Sequence, residues 1–262
     1  MKAKMVFAEW LLKHHDSWAR FIPSFYFPYR VPGGDIYLDI SESQMMLARA
    51  MGRYEPEKHA AFKHFLREKD CFVDVGVNKG DFTLLAAKLV GEEGRVLAFE
   101  PEPSNCHWIN KSARRNGYTN VMLFEMALSD ENGTAELHLG SKSGWHTLIP
   151  GQKNRAEGVI TVQTRTLDSV LEKQAMETPI RVMKIDVEGA EMLVLKGAEN
   201  TLRTYPDLVL LLDLHPHLGA DNLKICAFLE KCGFQLYQEA YFDSWTKEPG
   251  RRCNYGADSY PG

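Results

Sequence analysis

The chain lacks any long apolar run. Its richest stretch, Leu208 to Leu212, is strand-sized, well short of the ~18 residues that a membrane-spanning helix needs, so no membrane partner is expected. Lys2 and Lys4 precede apolar residues, but Glu9 and Lys13 interrupt any signal-peptide core. The segment reads instead as a short amphipathic helix with Trp10, Leu11 and Trp18 toward the protein. Cysteine is scarce, with five in 262 residues and no CxxC pair. That odd number argues against a disulfide framework and for reduced thiols in a cytoplasm. Basic charge is not in excess: 31 Lys and Arg stand against 35 Asp and Glu, which gives no footprint for nucleic acid. Internal repeats and low-complexity tracts are also missing.

What is present is an alternation of strand and helix patterns. From Asp70 onward, Cys71–Val75, Arg95–Phe99 and Val121–Glu125 read as strands, with helices over Gly80–Val90 and Pro103–Asn116 between them. Strands separated by helical patterns of this length imply βαβ units and a parallel sheet. The rhythm then breaks into two strands, Gly133–Leu139 and Gly158–Thr164, around a polar loop with Trp145 and His146. It resumes with a helix at Leu167–Gln174, a strand at Arg181–Ile185, a helix at Ala190–Arg203, a strand at Asp207–Leu214 and a helix at Asn222–Lys231. Phe234–Tyr237 and Tyr241–Trp245 are expected to close the sheet as an antiparallel pair. Residues 1–69 form a cap and residues 70–262 the main domain. Prolines 23, 28 and 32 exclude a long helix in the aromatic-rich stretch 18–37, which could also form a homodimer face. A short strand at Asp35–Ile40 and helices at Glu42–Met51 and Pro56–Lys69 complete the cap.

The fingerprint GxGxxG is absent, which removes the expected signature of a nicotinamide oxidoreductase. In its place, between a buried strand and a helix, stands Asp74-Val-Gly76-Val-Asn78-Lys-Gly80. Glycines at such a turn permit sharp backbone bends and close approach of a ligand, and the helix adds its positive N-terminal end. Glu100 ends the second strand in Phe99-Glu100-Pro-Glu-Pro103, where an acidic side chain can accept both hydroxyls of a ribose. Asp186 ends the fourth strand of this alternation, at the edge where ligands collect in open α/β sheets. Glu188, Asp213 and His215 fall near the ends of the same strand and the next. Each of these four could serve as a base, an acceptor-binding group or a metal ligand. Glu191 can equally be a charge at a helix N-terminus, and Asp168 a cap of the helix that follows it.

These motifs, with Ala127-Leu-Ser-Asp130 and Lys184-Ile-Asp-Val-Glu-Gly-Ala-Glu191, resemble the FkbM-type methyltransferases over roughly residues 70–240. The resemblance implies a Rossmann-like α/β fold with a mostly parallel seven-stranded sheet and an antiparallel C-terminal strand. It implies methyl transfer from S-adenosyl-L-methionine, yielding S-adenosyl-L-homocysteine, to a hydroxyl of a sugar or secondary metabolite. The acceptor would be a small molecule or a peptide; transfer to an amide or amine nitrogen, or cofactor binding without catalysis, are the alternatives. Asp74, Gly76, Asn78, Gly80, Glu100 and Asp186 would then hold the cofactor, with Asp74 at its cationic methionine end and Met126 and Ala127 along the adenine. Trp145 and His146 could close over the acceptor. Metal-free proton removal by Asp186 or His215 is favoured over a divalent cation held between Asp186 and Asp213, as in catechol methyltransferases. Asp213 departs from the glutamate common before the histidine in this family.

Overall fold

The computed structural model describes residues 9–140, 143–149, 156–174, 178–218, 220–238 and 251–257. The first elements are α1 (His15–Ala19), a hairpin of β1 (Phe27–Val31) and β2 (Gly34–Leu38), α2 (Gln44–Ala50) and α3 (Pro56–Phe65). The alternation follows as β3 (Cys71–Val75), α4 (Asp81–Val90), β4 (Arg95–Phe99), α5 (Pro103–Arg115) and β5 (Val121–Phe124). Three further strands, β6 (Ala127–Leu128), β7 (Gly133–Gly140) and β8 (Ala156–Arg165), make a small separate sheet. The chain continues through α6 (Leu167–Gln174), β9 (Ile180–Ile185), α7 (Glu191–Gly197), α8 (Glu199–Thr204), β10 (Val209–Leu214), α9 (Asn222–Lys231), β11 (Gln235–Gln238) and β12 (Arg252–Ala257).

The main sheet has seven strands in the order β11-β12-β10-β9-β3-β4-β5, and all its described pairings are parallel. All five residues of β3 are buried, which is what a strand covered by helices on both faces requires. One face packs Val73, Met183, Leu210 and Leu212 against α6 to α9. The other packs Phe72, Val182 and Leu211 against Phe62 and Phe65 of α3 and against Phe82 and Ala86 of α4. Residues of the expected cap therefore share a core with the sheet. Local chemistry sets the helix starts: Glu102 accepts from the N–H groups of Ser104 and Asn105 ahead of α5, with Pro103 at the first helical position.

The expected antiparallel close of the sheet is corrected. The described partner of β11 is β12, and it runs parallel to both β11 and β10. The expected strand 241–245 lies outside the described residues, and β12 is not among the expected strands. The expected helix Ala190–Arg203 is two helices, broken at Ala198. A Cβ on Gly197 would stand 2.0 Å from the carbonyl oxygen of Ser129, so the chain bends where two backbones meet. Trp10 does not face the protein but is 52% exposed, with His15 buried in its place. The reading also missed β1: Pro28 sits opposite Tyr37 in a two-stranded hairpin, an edge position where a missing N–H is tolerated. Of the aromatics in 18–37, Tyr26 stacks on Trp108 at 4.1 Å, whereas Phe21, Phe25 and Phe27 are exposed.

Candidate active site

Strand order reverses direction at β3, whose neighbours are β4 on one side and β9 on the other. Ligand crevices form at such switch points, beyond the carboxyl ends of the strands. The turn after β3 is built from left-handed residues: Gly76 (φ 79°), Asn78 (φ 56°) and Gly80 (φ 95°). Gly76 answers to a neighbour in the protein as well as to any ligand. A Cβ there would lie 1.8 Å from the carbonyl oxygen of Asp186, so the glycine lets the β3 and β9 turns touch. Asp186 N–H donates to the Val75 carbonyl at 3.0 Å, locking the two turns together.

Asp74 is buried, and its Oδ2 accepts from the Thr83 hydroxyl at 2.6 Å. Its Oδ1 has no hydrogen-bond partner among the described residues, nor has Asn78 Oδ1. Burial raises the Asp74 pKa, with Lys184 and Thr83 opposing the rise. Glu100 is also buried; its carboxylate accepts from the N–H groups of Asn78 (2.7 Å) and Glu102 (3.0 Å) and from Asn105 Nδ2 (3.3 Å). Desolvation pushes its pKa up to about 7 despite those three donors. A carboxylate offers about four acceptor positions, so one stays open, and a second opens if the long Asn105 contact yields.

At the end of β9, Asp186 Oδ2 lies 3.2 Å from Lys184 Nζ. Burial pushes its pKa up, but Lys184, His215 and Lys58 together hold it well below the usual carboxylate range. His215, 1% exposed, presents Nε2 at 3.7 Å from both Asp186 Oδ1 and Glu188 Oε1. Its Nδ1 meets Glu191 Oε1 at 2.6 Å. A carboxylate only accepts, so Nδ1 carries a proton. Glu188 adopts a left-handed φ of 52°, a conformation a non-glycine side chain adopts at a cost of about 1–3 kcal/mol.

Asp213 does not join this group. Lys58, on α3, reaches its Oδ2 and lies 2.8 Å from Glu55. Burial would lower the Lys58 pKa, but the two carboxylates raise it overall, so the ammonium persists. Trp145 and His146 lie in the loop after β7, which does cover this edge. A Cβ on Gly144 would stand 3.3 Å from Asn78 Nδ2, and the Thr147 hydroxyl donates to the Glu188 carbonyl at 2.6 Å. His146 Nδ1 accepts from the Gly140 N–H, and burial lowers its pKa. Met126 packs against the main core, while Ala127 is buried beside Leu137 and Val162 in the small sheet. Asp168 caps α8 rather than its own helix, accepting from the Asn200 and Thr201 N–H groups.

Sequence reasoning missed Lys184, Lys58 and the role of Glu191. Lys184 had a readable signal: in a strand, residues two apart share a face, so Lys184 belongs beside Asp186. Its buried Nζ lies 3.9 Å from Asp74 as well. Burial would lower its pKa, and the two aspartates raise it overall. The pairing of Lys58 with Asp213 had no such signal, because it joins residues far apart in sequence.

An open parallel sheet with acidic groups gathered at its switch point is the Rossmann-like methyltransferase fold. The chain belongs to the FkbM methyltransferase domain family, whose model matches residues 74–236. It is 28% identical over 166 residues to the hexuronic acid methyltransferase AglP of Haloferax volcanii, covering 63% of each protein. To the 2-O-methyltransferase NoeI of Sinorhizobium fredii it is 28% identical over 144 residues, covering 50% of this chain and 58% of that one. The methyltransferase sdnD of Sordaria araneosa is 30% identical over 156 residues, covering 48% and 60% respectively. The chain thus spans about three-fifths of the length of these curated relatives.

Proposed function

We propose that this chain is an adenosylmethionine-dependent O-methyltransferase that acts on a hydroxyl of a sugar or secondary metabolite. One observation carries the reading: Asp74, Glu100 and the group Asp186, Glu188 and His215 all lie along a single sheet edge. Asp74 Oδ1, which has no hydrogen bond among the described residues and only the 3.9 Å ion pair with Lys184, suits the donor-only ammonium of the cofactor's methionine end, and the open position on Glu100 suits a ribose hydroxyl. Bound there, adenosylmethionine supplies a methyl on a sulfonium: an O–C bond forms as the C–S bond breaks, and the electron pair stays on sulfur.

The chain's own residues do the positioning, which for an in-line transfer is a large share of catalysis. Lys184 bridges Asp74 and Asp186 and so fixes the cofactor side relative to the acceptor side. The hydroxyl proton would pass to Asp186 or to His215, on the side where Glu188 also stands. The Trp145–His146 loop, tied down through Thr147, excludes water from that side. The relatives named for hexuronic acid and for 2-O-methylation support a carbohydrate hydroxyl as the acceptor. The test is a panel of sugars, uronic acids, polyketide alcohols, amines and peptides incubated with adenosylmethionine and read by mass spectrometry. A product heavier by one methylene on a hydroxyl is expected; methylation of nitrogen compounds alone would refute the oxygen assignment.

A further inference from the structure

We propose that Asp186, Glu188 and His215 form a binding site for a divalent first-row cation. One oxygen of each carboxylate and a ring nitrogen of His215 lie within 4.8 Å of one another, and the two carboxylates each stand 3.7 Å from Nε2. With metal–ligand bonds of about 2.1 Å, adjacent ligand atoms lie about 3 Å apart and opposite ones about 4.2 Å. A small inward turn of the two carboxylates closes the difference. Glu191 holds Nδ1 of His215 and directs Nε2 at the carboxylates, the outer support that metal-bound histidines ordinarily have. Asp186 meets Lys184 through Oδ2 and His215 through Oδ1, so the lysine does not occupy the oxygen that faces the cluster.

The charge around the cluster points the same way. Three cations serve the carboxylates at this edge: Lys184 stands by Asp74 and Asp186, Lys58 by Asp213 and Glu55, and the buried Arg49 pairs with Asp81 near Glu55 and Asp186. Glu188 and Glu191 add two more carboxylates, both directed at His215. A divalent cation offsets that surplus of negative charge. Two carboxylates with one imidazole favour manganese-like ions over magnesium, which prefers oxygen ligands alone. Asp186 is 25% and Glu188 20% exposed while His215 is buried, so a cation's remaining positions face the opening. They would take two neighbouring oxygens of the acceptor, such as a vicinal diol, and lower a bound hydroxyl's pKa. That last step rests on the methyl-transfer reading; the cation site does not.

The experiment is a titration of the full chain with Mn2+ alone, followed by electron paramagnetic resonance. One saturable equivalent is expected, weakened about tenfold or more in Glu188→Gln and in Glu191→Gln. Both variants are first compared with wild type by circular dichroism, and the partly exposed Glu188→Gln carries the test if the buried change unfolds the chain. No saturable Mn2+ binding by wild type, or wild-type affinity in a folded Glu188→Gln, would overturn the proposal. Adenosylmethionine binding, measured separately without metal, keeps the two readings apart. Saturable Mn2+ binding by a chain that does not bind adenosylmethionine would sustain the cation site and sink the methyl-transfer reading, and the converse result would do the opposite.

Discussion

Glu100 combines a buried carboxylate with a pKa raised by desolvation to about 7 from an ordinary 4.5. Below about pH 7 its neutral form therefore predominates in the folded apoprotein. The stability it contributes is fully present below pH 4.5 and is lost as pH rises toward 7. The whole effect is at most about 3 kcal/mol. Ribose hydroxyls would instead donate to the ionised form, so adenosylmethionine affinity should climb by up to about tenfold per pH unit below pH 7. Calorimetry across this range checks both slopes, and Glu100→Gln should flatten them. Gly76 makes a purely steric prediction. With a left-handed φ and a Cβ position 1.8 Å from the Asp186 carbonyl oxygen, Gly76→Ala should cost ~3 kcal/mol. Urea unfolding measures it.

The loop after β7 shows what a single element contributes. Thr147 pairs with His138 on β7 and donates its hydroxyl to the Glu188 carbonyl, so it ties the loop to the acceptor side. Thr147→Val should leave adenosylmethionine affinity within about twofold while it raises KM for the acceptor. Steady-state kinetics with calorimetry separate the two. Elements were the most legible level of the sequence. The bounds of β3 and β4 match the sequence expectation, because apolar runs between glycine and charged turns have little alternative but a buried strand. The close approach of the Ser129 carbonyl to Gly197, beside the break at Ala198, could not be read, because it joins residues far apart in sequence. The direction of β12 was equally hidden, because sheet direction depends on a crossover and not on the strand's own residues.

Across the whole molecule, residues before 70 are outside the family match, yet several of the described ones share its packing. Phe62 and Phe65 pack onto the sheet, the buried Arg49 pairs with Asp81 at 2.7 Å, and Tyr26 and Glu42 surround the buried Lys79. A chain begun at residue 70 would expose that apolar face and leave Asp81 and Lys79 unpaired, a loss of several kcal/mol. It should fail to fold cooperatively, and scanning calorimetry of the full chain should show one transition rather than two. The acidic positions of the site were legible because strand ends collect ligands in this fold. Of the partners that hold them, Lys58 comes from this N-terminal packing and had no signal in the sequence. The most direct measurement of the central claim is equilibrium binding of adenosylmethionine, adenosylhomocysteine and NAD to wild type and Glu100→Ala. Saturable binding of the two adenosyl compounds and not of NAD is expected, weakened in the variant by about 1–3 kcal/mol. No binding by wild type, or equal affinity in both proteins, would contradict it.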